Sequence, residues 1–234
     1  MKLIILSMMI GMLIVFQSCS DSTSSTSTIQ FSAEINTPLV ATPAKQSGNS
    51  IQVGGTVDSV RVTRVRMLLS RLILHKSTSD TSSGSSNVKT GPFILDITAG
   101  TTKMVTSAEI PAGSYQNIKY ELHKFSSSEA DQYKTDANFG AFVSTDRYTT
   151  IIEGTSYKSG VEKAFVYNSD VNTNLSLNLQ TPITIESGGT SNIVLQFQPL
   201  IVFKGTSGVL DPLDSKNKSD IDNLIKVSIK ALKK

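Results

Sequence analysis

Past residue 28 the chain alternates. Ile29, Phe31, Ala33 and Ile35 are separated by Gln30, Ser32, Glu34 and Asn36, the two-residue period of a strand with one buried and one wet face. The same period returns in Leu175, Leu177 and Leu179, then in Ile183 and Ile185, then in Ile193, Leu195 and Phe197. Pro182, Ser187-Gly188-Gly189 and Pro199 fall at the breaks. Short alternating runs bounded by turn residues predict a mainly β fold of antiparallel strands, in a sandwich or barrel.

The stretch VRVTRVRMLLSRLILH, Val60 to His75, keeps the period but changes its parity. Val60 and Val62 lie on one side, Val65, Met67 and Leu69 on the other, and Leu72 and Leu74 switch back. Bulges explain such switches. The later half is apolar on both faces, which requires cover on both; a helix is the alternative reading. Arg71, inside this run, is expected to be snorkelling or paired.

Ile221, Leu224, Ile225, Ile229 and Leu232 recur at helical spacing, so an amphipathic helix is predicted over 219–234. Ser219 and Asp222 form a weak capping box, Asp220 suits the N-terminal end, and Lys230, Lys233 and Lys234 suit the other. Leu224, Ile225 and Leu232 are expected to bury against the sheet, and the helix is the candidate cover for its second face. A basic helix lying on a membrane is the alternative. Two stretches carry no pattern: the polar Lys76–Gly91, and Phe125–Asp146 with Tyr133, Phe139 and Phe142, a possible binding loop.

The N-terminus gives an address. Lys2 precedes an uncharged run from Leu3 to Phe16, too short for a comfortable transmembrane helix but a normal export-signal core. Phe16-Gln17-Ser18-Cys19 resembles the lipobox, where bacterial signal peptidase cuts before a lipidated cysteine. Phe16 and Gln17 depart from the usual residues. An ordinary secretory signal with a chance cysteine is the alternative. Cys19 is the only cysteine, so no disulfide staples the fold. The Ser/Thr tract that follows cannot bury enough apolar surface to order itself and suits a tether. The expected organisation is a signal peptide over 1–18, a lipidated Cys19 with its tether over 19–28, and one β-sandwich domain over 29–234. Membrane lipid is then a partner through Cys19, and Ser20 rather than Asp after it fits the outer membrane, on a face the sequence leaves open.

Composition narrows the functions. A net charge of +3 from dispersed residues marks no nucleic-acid footprint, and zero Trp with 6% aromatics weakens a carbohydrate-binding reading.

Pro111-Ala112-Gly113-Ser114-Tyr115 sets a turn leading into a new strand. With the Arg/Val/Leu-rich strand at Val60, IIEGTSY at Ile151 and LDPLDSKN before the Lys-rich helix, it resembles a family of uncharacterised bacterial lipoprotein β-sandwich domains. The resemblance spans most of residues 50–234. It implies a sandwich like immunoglobulin or transthyretin domains in outline, and no enzyme activity.

Catalytic patterns are absent from the sequence: no phosphate-cradling glycine loop, no His-x-x-x-His pair, no nucleophile elbow. His75 and His123 could meet across a sheet to bind metal, and Asp96 with Glu121 could form a carboxylate pair. The densest oxygen cluster is DPLDSKNKSDID, where Asp211, Asp214, Asn217 and Asp220, with Asp222, are candidate calcium ligands. Turn and cap roles explain most of them without an ion. The expectation is therefore an anchored envelope lipoprotein with a binding, adhesion or structural role, its partner an envelope protein or glycan. An unrecognised hydrolase or metal-dependent enzyme and a carbohydrate-binding module are the alternatives.

Overall fold

The computed structural model describes residues 27–35, 40–41, 55–77, 87–98, 103–144 and 146–233. The strands come in the order β1 (Ser27–Ile35), β2 (Val40–Ala41), β3 (Thr56–Val57), β4 (Ser59–Leu69), β5 (Arg71–Lys76), β6 (Asn87–Thr90), β7 (Phe93–Thr98), β8 (Lys103–Ile110) and β9 (Gly113–Leu122). After helix α1 (Ser127–Tyr133) follow β10 (Thr150–Lys158), β11 (Val161–Ser169), β12 (Thr173–Ile185) and β13 (Thr190–Phe197). A single helical turn α2 (Pro199–Val202), the short β14 (Val209–Leu210), helix α3 (Lys218–Val227) and β15 (Ile229–Lys233) close the chain.

Three larger sheets result, ordered β15-β13-β1-β8, β11-β10-β4-β2 with β7 also on β4, and β12-β9-β5-β6; β14 and β3 form a separate pair. Apolar residues from all three meet in one core that includes Val65, Met67, Leu95, Ile118, Tyr120, Ile183 and Phe197. The fold is mainly β, sandwich-like and antiparallel, as the alternation predicts. One ladder departs from that: β1 runs parallel to β13 while pairing antiparallel with β8. Because β1 starts at Ser27, the last two residues of the expected tether are already in the sheet.

The parity switches along residues 60–75 are a bulge and a corner, and the helix alternative is excluded. Opposite β10, Glu153 faces Arg64 and Gly154 faces Val62, leaving Thr63 as the extra residue, its hydroxyl donating to Glu153 O at 3.1 Å. The bulge moves the buried set from Val60 and Val62 to Val65, Met67 and Leu69. At Ser70 the chain then leaves the β10–β4 sheet for the β9–β5 sheet. On the outer face Arg64 holds Asp96 through two hydrogen bonds of 3.0 and 2.7 Å, and Arg66 pairs with Glu153 at 2.8 Å. Arg71 is paired too, with Glu121 at 3.6 Å.

The expected cover for the second face is corrected. Leu68 points away from the main core yet is buried, against Phe125, Phe142 and Ile151. The cover is therefore the segment after β9, not the C-terminal helix. That segment, expected to lack structure, holds α1 and a 3-10 turn at Gly140–Phe142. Phe125, Tyr133 and Phe139 form a triangle of rings with centroids 4.8 to 5.6 Å apart. Its aromatics thus face inward, against the possible binding role. The end of the other patternless stretch is β6, paired with β5.

The C-terminal helix is shorter than the predicted 219–234. It ends at Val227, and Ile229–Lys233 becomes β15, with Leu232 opposite Val194. Ser228 is the switch: its hydroxyl donates to Ile225 O at 2.6 Å and its own carbonyl accepts from Gln198 N at 2.8 Å. The edge of β13 offers backbone partners that extending the helix would leave unmade, so pairing overrides the helical stripe. Ile221 and Ile225 are fully buried in the core and Leu224 packs against it. The expected capping box is absent: the N-cap is Asn217 without a side-chain bond. Similarly, Pro182 does not end a strand. It lies in the irregularity between Asn178 and Ile183 as β12 runs on.

Candidate functional site

The Asp-rich loop between β14 and α3 is folded by its own side chains. Asp214 Oδ2 accepts from Gly55 N at 2.7 Å and Oδ1 from Lys216 N at 3.0 Å. Those two amides, Gly55 first, hold its carboxyl below the usual aspartate range. Asp211 Oδ1 accepts from Leu213 N at 2.9 Å. Asn217, fully buried, donates from Nδ2 to Gly55 O at 2.8 Å and to Asp211 O at 3.0 Å, which binds the loop to the start of β3. Its Oδ1 is buried with no partner among the described residues.

The calcium candidates Asp211, Asp214 and Asn217 therefore serve as turn and cap groups, while Asp220 is exposed in the first turn of α3. Among the described residues no three His, Cys, Asp or Glu side chains gather as a metal site. Replacing Asn217 with Ala removes two loop-closing hydrogen bonds, while Gly55 O and Asp211 O keep the amides of Asp211 and Asp214, each at 3.2 Å. A loss of about 1–3 kcal/mol is expected, read as a lower urea unfolding midpoint.

This loop is one wall of a cleft of about 680 Å³. The facing wall is the tip of the β10–β11 hairpin. Ser159 at φ 50° and Gly160 at φ 78° make the two-residue turn whose twist suits a hairpin, and Ser159 N donates to Asp58 at 2.6 Å. In the register Ser156 faces Lys163 and Lys158 faces Val161. By the two-residue period these four share one face with Phe165 and Tyr167, further along β11. Phe165 and Tyr167 are core residues. The hairpin's inner face thus extends past the core, where it lines the cleft with Ser156, Lys158, Val161 and Lys163; Val57, Asp211, Leu213 and Asp214 lie across from it.

Behind the cleft, α3 is fixed to β11. Tyr167 Oη and Ser169 Oγ both donate to Asp222 Oδ1, at 2.9 and 2.6 Å. Lys218 bridges Asp170 at 2.9 Å and Asp222 at 2.7 Å, and Lys124 reaches Asp170 at 3.3 Å. Hydrogen bonding to Lys218 holds Asp170 below its ordinary range. Burial, with the Asp222 charge, pushes the Tyr167 phenol up. These side chains serve to dock α3 on β11.

The remaining sequence candidates do not converge. His75 lies opposite Asn117 while His123 lies just past the end of β9, six positions along the chain from Asn117, or roughly 20 Å along an extended strand. His123 Nε2 is 3.2 Å from Asn174 Oδ1. Asp96 is held by Arg64 and Glu121 by Lys119 at 3.0 Å, so they form no carboxylate pair. Cys19 lies outside the described residues.

A family model described as a domain of unknown function, DUF4382, matches residues 32–207. The chain belongs to this family. No curated protein and no solved structure matches the chain. The DUF4382 stretch contains the hairpin wall of the cleft, but it stops short of Asp211–Asn217 and α3, which form the other wall and its support. Sequence reasoning missed Lys158 and Lys163. The available signal was the Lys-Ser-Gly turn within YKSGVEK, which defines a hairpin and so places those lysines on one face.

Proposed function

We propose that this DUF4382 chain is a lipid-anchored protein of the bacterial cell envelope, sorted to the outer membrane, whose folded part is a non-catalytic binding module. The order of segments carries the reading: an apolar run from Leu3 to Phe16, the single Cys19, a Ser/Thr tract, and then β1 at Ser27. A diacylglycerol on the Cys19 sulfur supplies the membrane partner. Each buried CH₂ contributes about 0.8 kcal/mol, and two chains make the attachment stable where one is reversible. From Ser20 to Thr26 the backbone reaches at most roughly 25 Å, enough to hold the sandwich just clear of the headgroups. The cleft supports a binding role, since its walls carry both charged and apolar groups. The partner of the module is an envelope protein or glycan component.

Cys19→Ser tests the anchor. Wild-type chain should partition into detergent and show acyl mass on an N-terminal Cys19; the variant should keep its leader and lose the acyl mass. An unmodified Cys19 thiol in the mature protein, or cleavage elsewhere, overturns the anchored reading.

A further inference from the structure

Two features of the cleft are unexplained by the fold. The inner face of β10–β11 carries ammonium groups where the same face, further along β11, carries Phe165 and Tyr167. Lys158 and Lys163 enter none of the ion pairs of the described residues, although the wall across from them bears Asp211 and Asp214. Second, Val161 and Leu213, 55% and 51% exposed, both line this cleft and are among the most exposed large apolar side chains of the described residues. Cations on one wall, anions on the other and apolar surface beside them form a pattern that water alone does not require. Its volume, about 680 Å³, suits a small ligand.

The charge arrangement selects among ligands. A simple anion at Lys158 and Lys163 would face Asp211 and Asp214, and a simple cation at the aspartates would face the lysines. A ligand with both charges satisfies both walls at once. Asp211 is the better ammonium acceptor, since Oδ2 takes no hydrogen bond among the described residues, whereas both Asp214 oxygens hold backbone amides. We infer that this cleft binds a short peptide with free ends, its α-carboxylate at Lys158 and Lys163, its α-ammonium at Asp211, and an apolar side chain against Val57, Val161 and Leu213. The inference rests on the reading of the folded part as a binding module and adds the ligand class.

The test is calorimetric titration of the full chain in detergent micelles with the dipeptide alanyl-leucine, its N-acetyl form, its C-terminal amide, and sodium sulfate. The free dipeptide should bind, either blocked form should bind at least about tenfold more weakly, and sulfate should not compete. The double variant Lys158→Gln, Lys163→Gln should lose binding by tenfold or more with a melting temperature little changed, because neither ammonium enters an ion pair among the described residues and only the charge of Lys158 acts on Asp214. Asp211→Asn should narrow the difference between the free and N-acetylated peptides. No heat from any peptide at millimolar concentration, equal binding of blocked and free forms, or wild-type affinity in the lysine variant overturns the ligand class. A chain that is acylated at Cys19 yet binds no peptide overturns this inference alone; a chain that binds alanyl-leucine without acylation overturns the anchor alone.

Discussion

Replacing Phe203 with Ala lowers the stability of the domain by about 3–5 kcal/mol, the range for emptying a fully buried aromatic position. Phe203 is fully buried, and its ring meets Phe165 and Tyr167 edge-on, with centroids 5.7 and 6.4 Å apart and planes at 72° and 88°. Edge-to-face pairs add about 0.5–1.5 kcal/mol beyond the area they bury. For a domain of this size the loss corresponds to a fall in melting temperature on the order of 10 °C, measurable by circular dichroism. Phe203→Leu keeps most of the volume and should lose less than half as much. The carbonyl of Phe203 accepts from Leu210 N at 2.8 Å, directly before the Asp-rich loop, so the Ala variant should also loosen one wall of the cleft. A melting curve unmoved by Phe203→Ala would show that the ring is dispensable to the core.

Asp222→Ala should cost about 3 kcal/mol. The carboxylate, 15% exposed, accepts from Tyr167 and Ser169, which are themselves buried. Removing it leaves the Ser169 hydroxyl without its acceptor, at about 1–3 kcal/mol if it stays dry, and leaves Tyr167 Oη with the Lys218 carbonyl at 3.1 Å in place of a carboxylate. Its ion pair with Lys218 matters less, since that side chain is 47% exposed and an exposed pair contributes at most about 1 kcal/mol. Asp222→Asn keeps a carbonyl for the hydroxyls and loses only the charge, so its urea midpoint should fall less than that of the Ala variant. Equal loss in both would shift the weight from the hydroxyls to the ion pair.

The parts of the fold that could be read in advance are those where side-chain pattern and backbone partner agree. Along β4 the apolar parity recorded both the Thr63 bulge and the Ser70 corner, because every inward position there is buried. In the last fifteen residues the pattern and the partner disagree. The helical stripe is real through Ile225, but β13 presents an open edge whose position no local pattern records, and the chain changes structure at Ser228 to meet it. The segment after β9 conceals its helix for another reason. Its Ser126-x-x-Glu129 capping box, complete in the structure, announces α1, yet seven residues of helix carry too short a stripe to stand out. Of the cleft, the sequence shows the Asp-rich wall as composition only. Its facing wall lies some fifty residues earlier, and only the sheet order brings the two together.

The position of β1 has a mechanical consequence. Any pull transmitted from the residues before Ser27 enters the domain through this strand, and β1 is internal to its sheet: eight residues pair with β13 and seven with β8. An edge strand loaded at one end peels from a single neighbour, one bond after another. A load along β1 meets ladders on both sides, whose bonds lie across the direction of pull and must slide together. The chain therefore takes up tension at a point braced from two directions, and an extracted β1 would leave two raw edges, so the sheet yields as a unit or holds.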